Sequence, residues 1–324
     1  MPNKLLVVTV NYACADPITA ALATTVAEVR KIEGAEYWIV DNASPDDSVS
    51  VLNAAIAAQD VGDVVRLLEA PKNDGFGAGN NVALRKAFAQ DDPPEYIYFL
   101  NPDAVPLPGA IPAMLAFLEE NQDVGMVGGL LRNEDDELEA SSFRFPSLGS
   151  EIETAFNLNV VRKLLKNYVL PLETPTEPTR VDWVSGASFL ARRTALETTG
   201  IFDETFFLYW EEVELCHRFR LADIPIYTIP DATVMHIGGV STGIDEAARR
   251  KPEYWFASRR YFFKKTGLAG SPLVMNLGAV IGMLVHRLGQ LVRGRRLSPP
   301  RFLTDFVYFN FLSTPQRTGK ARSD

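Results

Sequence analysis

Cysteine is scarce in this 324-residue chain: only Cys14 and Cys216 occur, both in apolar surroundings. Two thiols cannot build a disulfide framework, and they read as small buried hydrophobes in a reducing compartment. The start, Met1-Pro2-Asn3-Lys4, runs straight into an apolar strand, without the basic region and long apolar segment of a secretory signal. The apolar stretch Leu273–Val285 is 13 residues long and carries Asn276, Gly278 and Gly282. It reads as too short to span a bilayer, which takes about 20 residues, and as an interfacial or buried helix instead. The segment after the first strand, Asn11–Pro17, has neither Gly nor Lys, so it lacks the basic glycine-rich loop that grips a triphosphate. No activated Ser or Cys motif points to a covalent nucleophile.

What is present is an ordinary globular composition, 47% hydrophobic and 23% charged, enough for a large core. The net charge of −9 is unevenly spread. Arg249–Asp324 holds 15 Lys and Arg against three acids, a net of +12, whereas residues 1–248 hold 17 against 38, a net of −21. An acidic body with a basic tail suits an anionic lipid surface and argues against nucleic acid, which the body would repel.

Buried strands alternate with helices through the first 120 residues. Lys4–Asn11 is an apolar strand, and Asp16-Pro17 opens the next helix, with Asp16 as N-cap and Pro17 at the first helical position. Tyr37–Val40 leads into Asp41–Asp47 and a helix over Val49–Ala58, and Val64–Leu68 leads into KNDGFGAGNN (Lys72–Asn81) and a helix over Val82–Ala89. Tyr96–Leu100 is followed by Asn101-Pro102-Asp103 and a helix over Ile111–Asn121. This alternation predicts an α/β fold whose parallel strands carry helices on both faces. Three post-strand loops, Asp41-Asn42, Asn73–Asn81 and Asn101–Asp103, then converge on one edge, where open α/β sheets bind ligands.

YIYFLNPDAVP (Tyr96–Pro106) is the most informative of these stretches. Its apolar run reads as a strand buried on both faces, and Pro102 ends it because proline cannot donate to a ladder. Asp103 at that carboxyl end suits a hard divalent cation that shares oxygens with a phosphate; the alternative is an ordinary turn aspartate. Asp41 has two readings as well, accepting from a base N–H or capping the following helix. Gly75, Gly77 and Gly79 let backbone come close to a phosphate or sugar, but their G-x-G-x-G spacing after the third strand is not the dinucleotide fingerprint.

Farther on, Val124–Leu131 is apolar and Arg132–Glu139 is an acidic turn. Ser141–Arg180, with four prolines and little periodicity, reads as a long loop covering the site. Val181–Ala191 reads as one strand kinked at Gly186. Phe206–Trp210 is densely aromatic, and Glu211, Glu212 and Glu214 follow it at the start of a helix that runs to Leu221. The helix dipole favours acids there. A carboxylate against aromatic rings also loses hydration, which raises its pKa toward a general-base range. Ile224–Ile229 is a short strand, and His236 follows, beside Gly238-Gly239; it reads either as a structural histidine or as a metal ligand. Arg287, Arg293, Arg295 and Arg296 come directly after the apolar stretch near the C-terminus.

Seven pieces occur in order: VVTVNY (Val7–Tyr12), VDNASPDD (Val40–Asp47), NDGFGAGNN (Asn73–Asn81), YFLNPDA (Tyr98–Ala104), WVSGASFLARR (Trp183–Arg193), FDETFFLYWEEVELCHR (Phe202–Arg218) and the histidine of VMHIGG (His236). Together they resemble the inverting family-2 glycosyltransferases of GT-A fold, in particular the rhamnosyltransferase-like branch, over about residues 4–240. The resemblance implies a mixed, mainly parallel sheet in a domain over 1–265, split into a nucleotide-binding half (1–125) and an acceptor half (126–265), with a basic, partly apolar helical tail over 266–324. It implies that Asp41 binds the donor's base, with Asn11, Tyr12, Asn73, Gly77, Asn80, Asn101 and Asp103 around the donor. Asp103 and His236 would hold Mg2+ or Mn2+ against the diphosphate. Trp183, Gly186, Tyr209 and Trp210 would face the sugar or acceptor. Glu211-Glu212 stands where the family has Glu-Asp, making Glu212 the base and Glu211 its alternative. Asn101 replaces the first acid of the DxD-type motif and removes one negative charge.

The implied reaction moves a sugar, with dTDP-rhamnose as the first donor and UDP-sugars as the alternative, to a glycan or lipid-linked hydroxyl with inversion. The chain would work in the cytoplasm at the inner face of the membrane, with its tail on the lipid surface. Packing on the domain or forming a homo-oligomer is the other reading of Leu273–Val285. Two other functions compete: sugar-phosphate nucleotidyltransfer, which the missing basic loop disfavours, and noncatalytic nucleotide-sugar binding, which the intact Glu pair disfavours.

Overall fold

The computed structural model describes residues 4–237, 250–292 and 301–313. Gly238-Gly239, Arg249, Arg293, Arg295 and Arg296 lie outside the described residues. The strands are β1 (Leu5–Asn11), β2 (Ala35–Asp41), β3 (Val65–Glu69), β4 (Tyr96–Leu100), β5 (Ala104–Pro106), β6 (Met126–Arg132), β7 (Leu138–Glu139), β8 (Ser142–Phe143), β9 (Thr179–Val181), β10 (Trp183–Val184), β11 (Ser188–Arg192) and β12 (Ile226–His236). The helices are α1 (Ala15–Val29), α2 (Ser48–Ala58), α3 (Phe76–Phe88), α4 (Ala110–Glu120), α5 (Leu148–Phe156), α6 (Asn159–Leu164), α7 (Arg193–Thr199), α8 (Glu211–Leu221), α9 (Glu253–Thr266), α10 (Pro272–Val292) and α11 (Phe302–Val307).

One mixed sheet runs in the order β3-β2-β1-β4-β11-β6-β12-β5. Its first four strands are mutually parallel; β11 then enters antiparallel between β4 and β6. The expected halves on either side of residue 125 therefore share one continuous sheet. Alternate residues of each central strand feed two cores, as the period of a pleated strand requires. Leu5, Val7, Tyr37, Ile39 and Tyr98 pack under α1, α2 and α4. Leu6, Val8, Trp38, Val40, Ile97 and Phe99 pack under α3, α8 and α9. Strand order reverses at β1, between β2 and β4, so the crevice of an open α/β sheet opens at the carboxyl ends of these strands.

Several sequence expectations change here. Helix α1 starts at Ala15 after Cys14, so Asp16 is already inside the first turn; the Asn11 side chain accepts from the Cys14 N–H instead (3.2 Å). Helix α3 starts at Phe76, not Val82, because glycines that look like loop are small enough to pack as helix. Val181–Ala191 is three short strands, not one. The supposed loop 141–180 contains helices, of which α5 is closed by a Ser147–Ser150 capping box. The apolar stretch near the C-terminus is 21 residues of helix, not 13. Its Gly278 and Gly282 do not interrupt it: Gly278 packs beside Ile152 of α5, and at Gly282 a Cβ would sit 2.7 Å from the Phe156 ring, so a larger side chain would collide there. A buried Arg259 pins this helical layer, bonding Glu151 of α5 and Asn276 of α10 (3.0 Å) while stacked between Phe263 and Phe306.

Candidate active site

The crevice is lined from the strand ends. Asn11 and Asp41 lie side by side in register at the ends of β1 and β2. Both are buried, and Asn11 Nδ2 donates to Asp41 Oδ1 at 2.7 Å. Ser44 donates its backbone N–H to Asp41 Oδ2 (3.0 Å) and its hydroxyl to Oδ1 (2.6 Å). Asp41 is thus fixed in orientation, with lone pairs left for one further donor. It does not cap α2; Asp46 accepts from Ser48 there. Tyr12 stands exposed beside this pair.

The glycine loop departs from its expected role. Gly75 has φ +101°, and a Cβ there would sit 1.9 Å from the Phe207 carbonyl oxygen. The Phe76 N–H donates to that oxygen (3.0 Å). Gly77 fits against the Phe202 side chain and Gly79 against Val10. These glycines therefore admit protein, in the form of the aromatic segment that leads to the Glu pair, where a phosphate was expected. Asn73 accepts from the Gly75 N–H (3.0 Å) and from Asn42 (2.9 Å), and buried Asn80 donates to the Phe76 carbonyl (3.0 Å); both brace the loop.

Asp103 differs from its neighbours. It is 5% exposed, and its Oδ1 is buried without a hydrogen-bond partner. His236 Nε2 faces that oxygen at 3.6 Å, beyond hydrogen-bond reach. The meeting is set by register: β12 pairs antiparallel with β5, His236 opposite Ala104, and the Ile237 N–H donates to the Asp103 carbonyl (3.0 Å). Glu139, on the β6–β7 hairpin, lies 3.9 Å from His236 Nδ1, a neighbour that sequence reading missed. An orphaned carboxylate oxygen opposite an imidazole nitrogen suits a divalent cation. No cluster of three or more such ligands exists among the described residues, so diphosphate oxygens and water would complete the shell.

The acid triplet after the aromatic segment is sorted by packing. Tyr209 and Trp210 both have left-handed backbones (φ +69° and +75°), a costly turn that aims the start of α8 inward. Glu214 is structural: it receives Arg218 Nε on both oxygens (3.0 and 3.1 Å) and Lys265 at 2.7 Å. Glu211 is buried, with Oε2 unpartnered; desolvation, then the neighbouring Glu212 charge, push its pKa well up. Glu212 is half-buried, and desolvation raises it too. Its carboxyl lies against Gly186, with 3.4 Å to the place of a Cβ. The next residue, Ala187, accepts from the Asn101 N–H (2.9 Å), which links the Glu pair to the loop carrying Asp103.

The expected acceptor aromatics are engaged in packing. Trp183 stacks on Phe143 (4.1 Å) and donates to the Arg144 carbonyl. Tyr209 stacks over Tyr254, and Trp210 lies among Trp255, Phe262 and Phe263. Cys14 and Cys216 are buried, and desolvation drives the Cys216 thiol far above its ordinary value, which unfits it as a nucleophile.

Comparison with known proteins gives a consistent set. The model of Glycosyl transferase family 2 matches residues 6–200. The N-acetylglucosaminyl-diphospho-decaprenol L-rhamnosyltransferase of Mycobacterium tuberculosis (strain ATCC 25618 / H37Rv) is 29% identical over 315 residues, 91% of this chain and 97% of that protein. Rhamnosyltransferase WbbL of Escherichia coli (strain K12) is 30% identical over 167 residues, 50% of this chain and 60% of that one. Among solved structures, mannosyltransferase PcManGT from Pyrobaculum calidifontis, in complex with GDP-Man and Mn2+, superposes with TM-score 0.56 at 16% identity, covering 91% of this chain and 77% of that one. GalNAc-T7 with UDP, GalNAc and Mn2+ gives 0.54 at 14% identity, covering 83% of this chain and 55% of that one. At these identities the two structures establish a shared fold.

Proposed function

Because the chain belongs to glycosyl transferase family 2, we propose that it moves rhamnose from a nucleoside diphosphate donor to a hydroxyl of a lipid-linked glycan, with inversion and with the help of Mg2+ or Mn2+. The observation that carries the metal-dependent reading is the orphaned, buried Asp103 Oδ1 facing His236 Nε2 at the switch-point crevice. The names of the two bacterial relatives support rhamnose, and that of the mycobacterial one supports a lipid-linked acceptor.

Asp41, braced by Asn11 and Ser44, receives an N–H of the donor base, beside exposed Tyr12. Asp103 and His236 would hold the cation, which would supply positive charge for the leaving diphosphate. Glu212, the more accessible of the Glu pair, takes the proton from the acceptor hydroxyl as that oxygen attacks the anomeric carbon. The bond from this carbon to the diphosphate oxygen breaks, and its electrons leave with the diphosphate. A single displacement inverts the centre. Glu211 stays behind as a buried neighbour whose own pKa is pushed well up by desolvation and then by the Glu212 charge.

Helix α10 supports a membrane-surface location. By length and composition it could cross a bilayer, yet Met275, Asn276, Ala279 and Met283 on one side are buried. Leu273, Leu277, Ile281, Leu284, Leu288 and Leu291 are exposed on the rest, in a tail of net charge +12. A half-packed apolar helix with basic surroundings lies on an anionic bilayer rather than through it. The chain then works at the cytoplasmic face. Vesicles containing anionic lipid should pellet the full-length protein, and Leu284→Glu should reduce this.

Incubation with dTDP-rhamnose, UDP-sugars and GDP-sugars tests the reaction. Acceptor-dependent release of free nucleoside diphosphate, largest with dTDP-rhamnose and abolished by EDTA, is expected. Pyrophosphate release would mark nucleotidyltransfer, and activity undiminished by EDTA would remove the metal role.

A further inference from the structure

A cavity of about 360 Å³ lies between α5, α9, α10 and α11, within the size range of small-molecule sites, about 300–1,000 Å³. It is separate from the strand-end crevice that serves the donor. Trp210, Trp255, Met283, Phe302 and Phe306 make its wall largely apolar. We propose that this cavity binds the first isoprenoid units of the acceptor lipid, next to its phosphate; the proposal rests on the reading of a lipid-linked acceptor.

Three observations meet there. First, Trp210 belongs both to the cavity wall and to the strained turn that ends at Glu211-Glu212. A chain held in the cavity is therefore anchored one residue from the carboxylates that handle the acceptor hydroxyl. Second, α10 forms part of the wall while its other side exposes Leu277, Ile281, Leu284 and Leu288. A lipid tail can then pass from the bilayer to the cavity along apolar surface without entering water, which would cost about 0.8 kcal/mol per CH2. Third, the lining is not wholly apolar. Arg259, bonded to Glu151 and Asn276, and half-buried His286 and Arg287 on α10 also contribute. Cationic and N–H-bearing groups on an otherwise apolar wall fit an amphiphile with an anionic head, and would serve a purely structural gap poorly.

The test uses full-length protein. A polyprenyl phosphate brominated in its first isoprene units should quench tryptophan fluorescence, since Trp210 and Trp255 line the cavity, and this readout needs no turnover. Thr154, exposed at the lining, allows Thr154→Trp to plug the cavity with little risk to folding, and Leu303→Trp is a second plug. Each should raise KM about tenfold or more for a long-chain acceptor. KM for the donor, and for a soluble acceptor with the same sugar diphosphate head on a short chain, should not change. Absence of quenching, or an equal KM change for long and short acceptors, overturns the proposal. Transfer to no acceptor alongside clear quenching would instead overturn the reaction assigned above and keep the cavity.

Discussion

At the carboxyl edge of the sheet, polar side chains are inside the protein: Asn11, Asp41, Asn42, Asp103 and Glu211 are all buried. In the C-terminal helices the reverse holds, and Leu273, Ile281, Leu284, Leu288 and Leu291 of α10 face outward. Each region departs from the usual distribution of polar and apolar residues, and each departure has its own meaning. Buried polar groups are tolerated when paired, so the unpaired ones, Asp103 Oδ1 and Glu211 Oε2, mark where a ligand or proton belongs. A contiguous apolar face on a surface helix marks a partner that excludes water.

Asp103 offers the largest way to break this contrast. Asp103→Ala should abolish metal-dependent donor binding, read by calorimetric titration of nucleoside diphosphate with and without Mn2+. Because the buried Asp103 Oδ1 has no hydrogen-bond partner to lose, thermal stability should hold, unlike the loss expected on removing the hydrogen-bonded Asp41. Glu212→Gln comes next: donor affinity stays and turnover falls about 10²–10⁴-fold. If Glu211→Gln is the inactive variant and Glu212→Gln the active one, their roles are exchanged.

Arg259→Leu probes the other region. It leaves Glu151 without its buried partner, a loss of about 3 kcal/mol in such settings, and should loosen α10 and α11 ahead of the sheet. Hydrogen exchange of the two helices against β1 and β4 measures the difference. Equal protection loss everywhere would mean that the helical layer is not a separable unit.

The smallest expected effect is on pH dependence. If Glu212 is the base, as proposed, turnover needs its ionised form, and the acidic limb should lie above the ordinary carboxylate value of 4.5. For stability the sign is opposite. Glu211 keeps its proton in the folded state at pH values where the unfolded chain has lost it. The folded state binds more protons across that window, so stability falls as pH rises from about 4.5 to the raised value. Glu211→Gln should flatten this decline in a plot of Tm against pH.

The sequence by itself determined the strands of the first half, the loops that follow them, and Asp103 as the residue to watch. Continuous apolar runs stopped by polar or proline residues encode double-sided burial and its end locally. Tyr96–Leu100 matches its predicted bounds for this reason. Tertiary structure decided what local pattern cannot carry. The antiparallel register of β12 on β5 brings His236 to Asp103. Arg218 and Lys265 claim Glu214 and leave Glu211 and Glu212 for other work. Gly75, which looked like an opening for a ligand, is required by the Phe207 backbone that fills it. Gly278 and Gly282, which looked like breaks in an apolar run, are the places where α5 touches α10. A small residue in sequence records only that something comes close; which atoms come close depends on how distant segments close on one another.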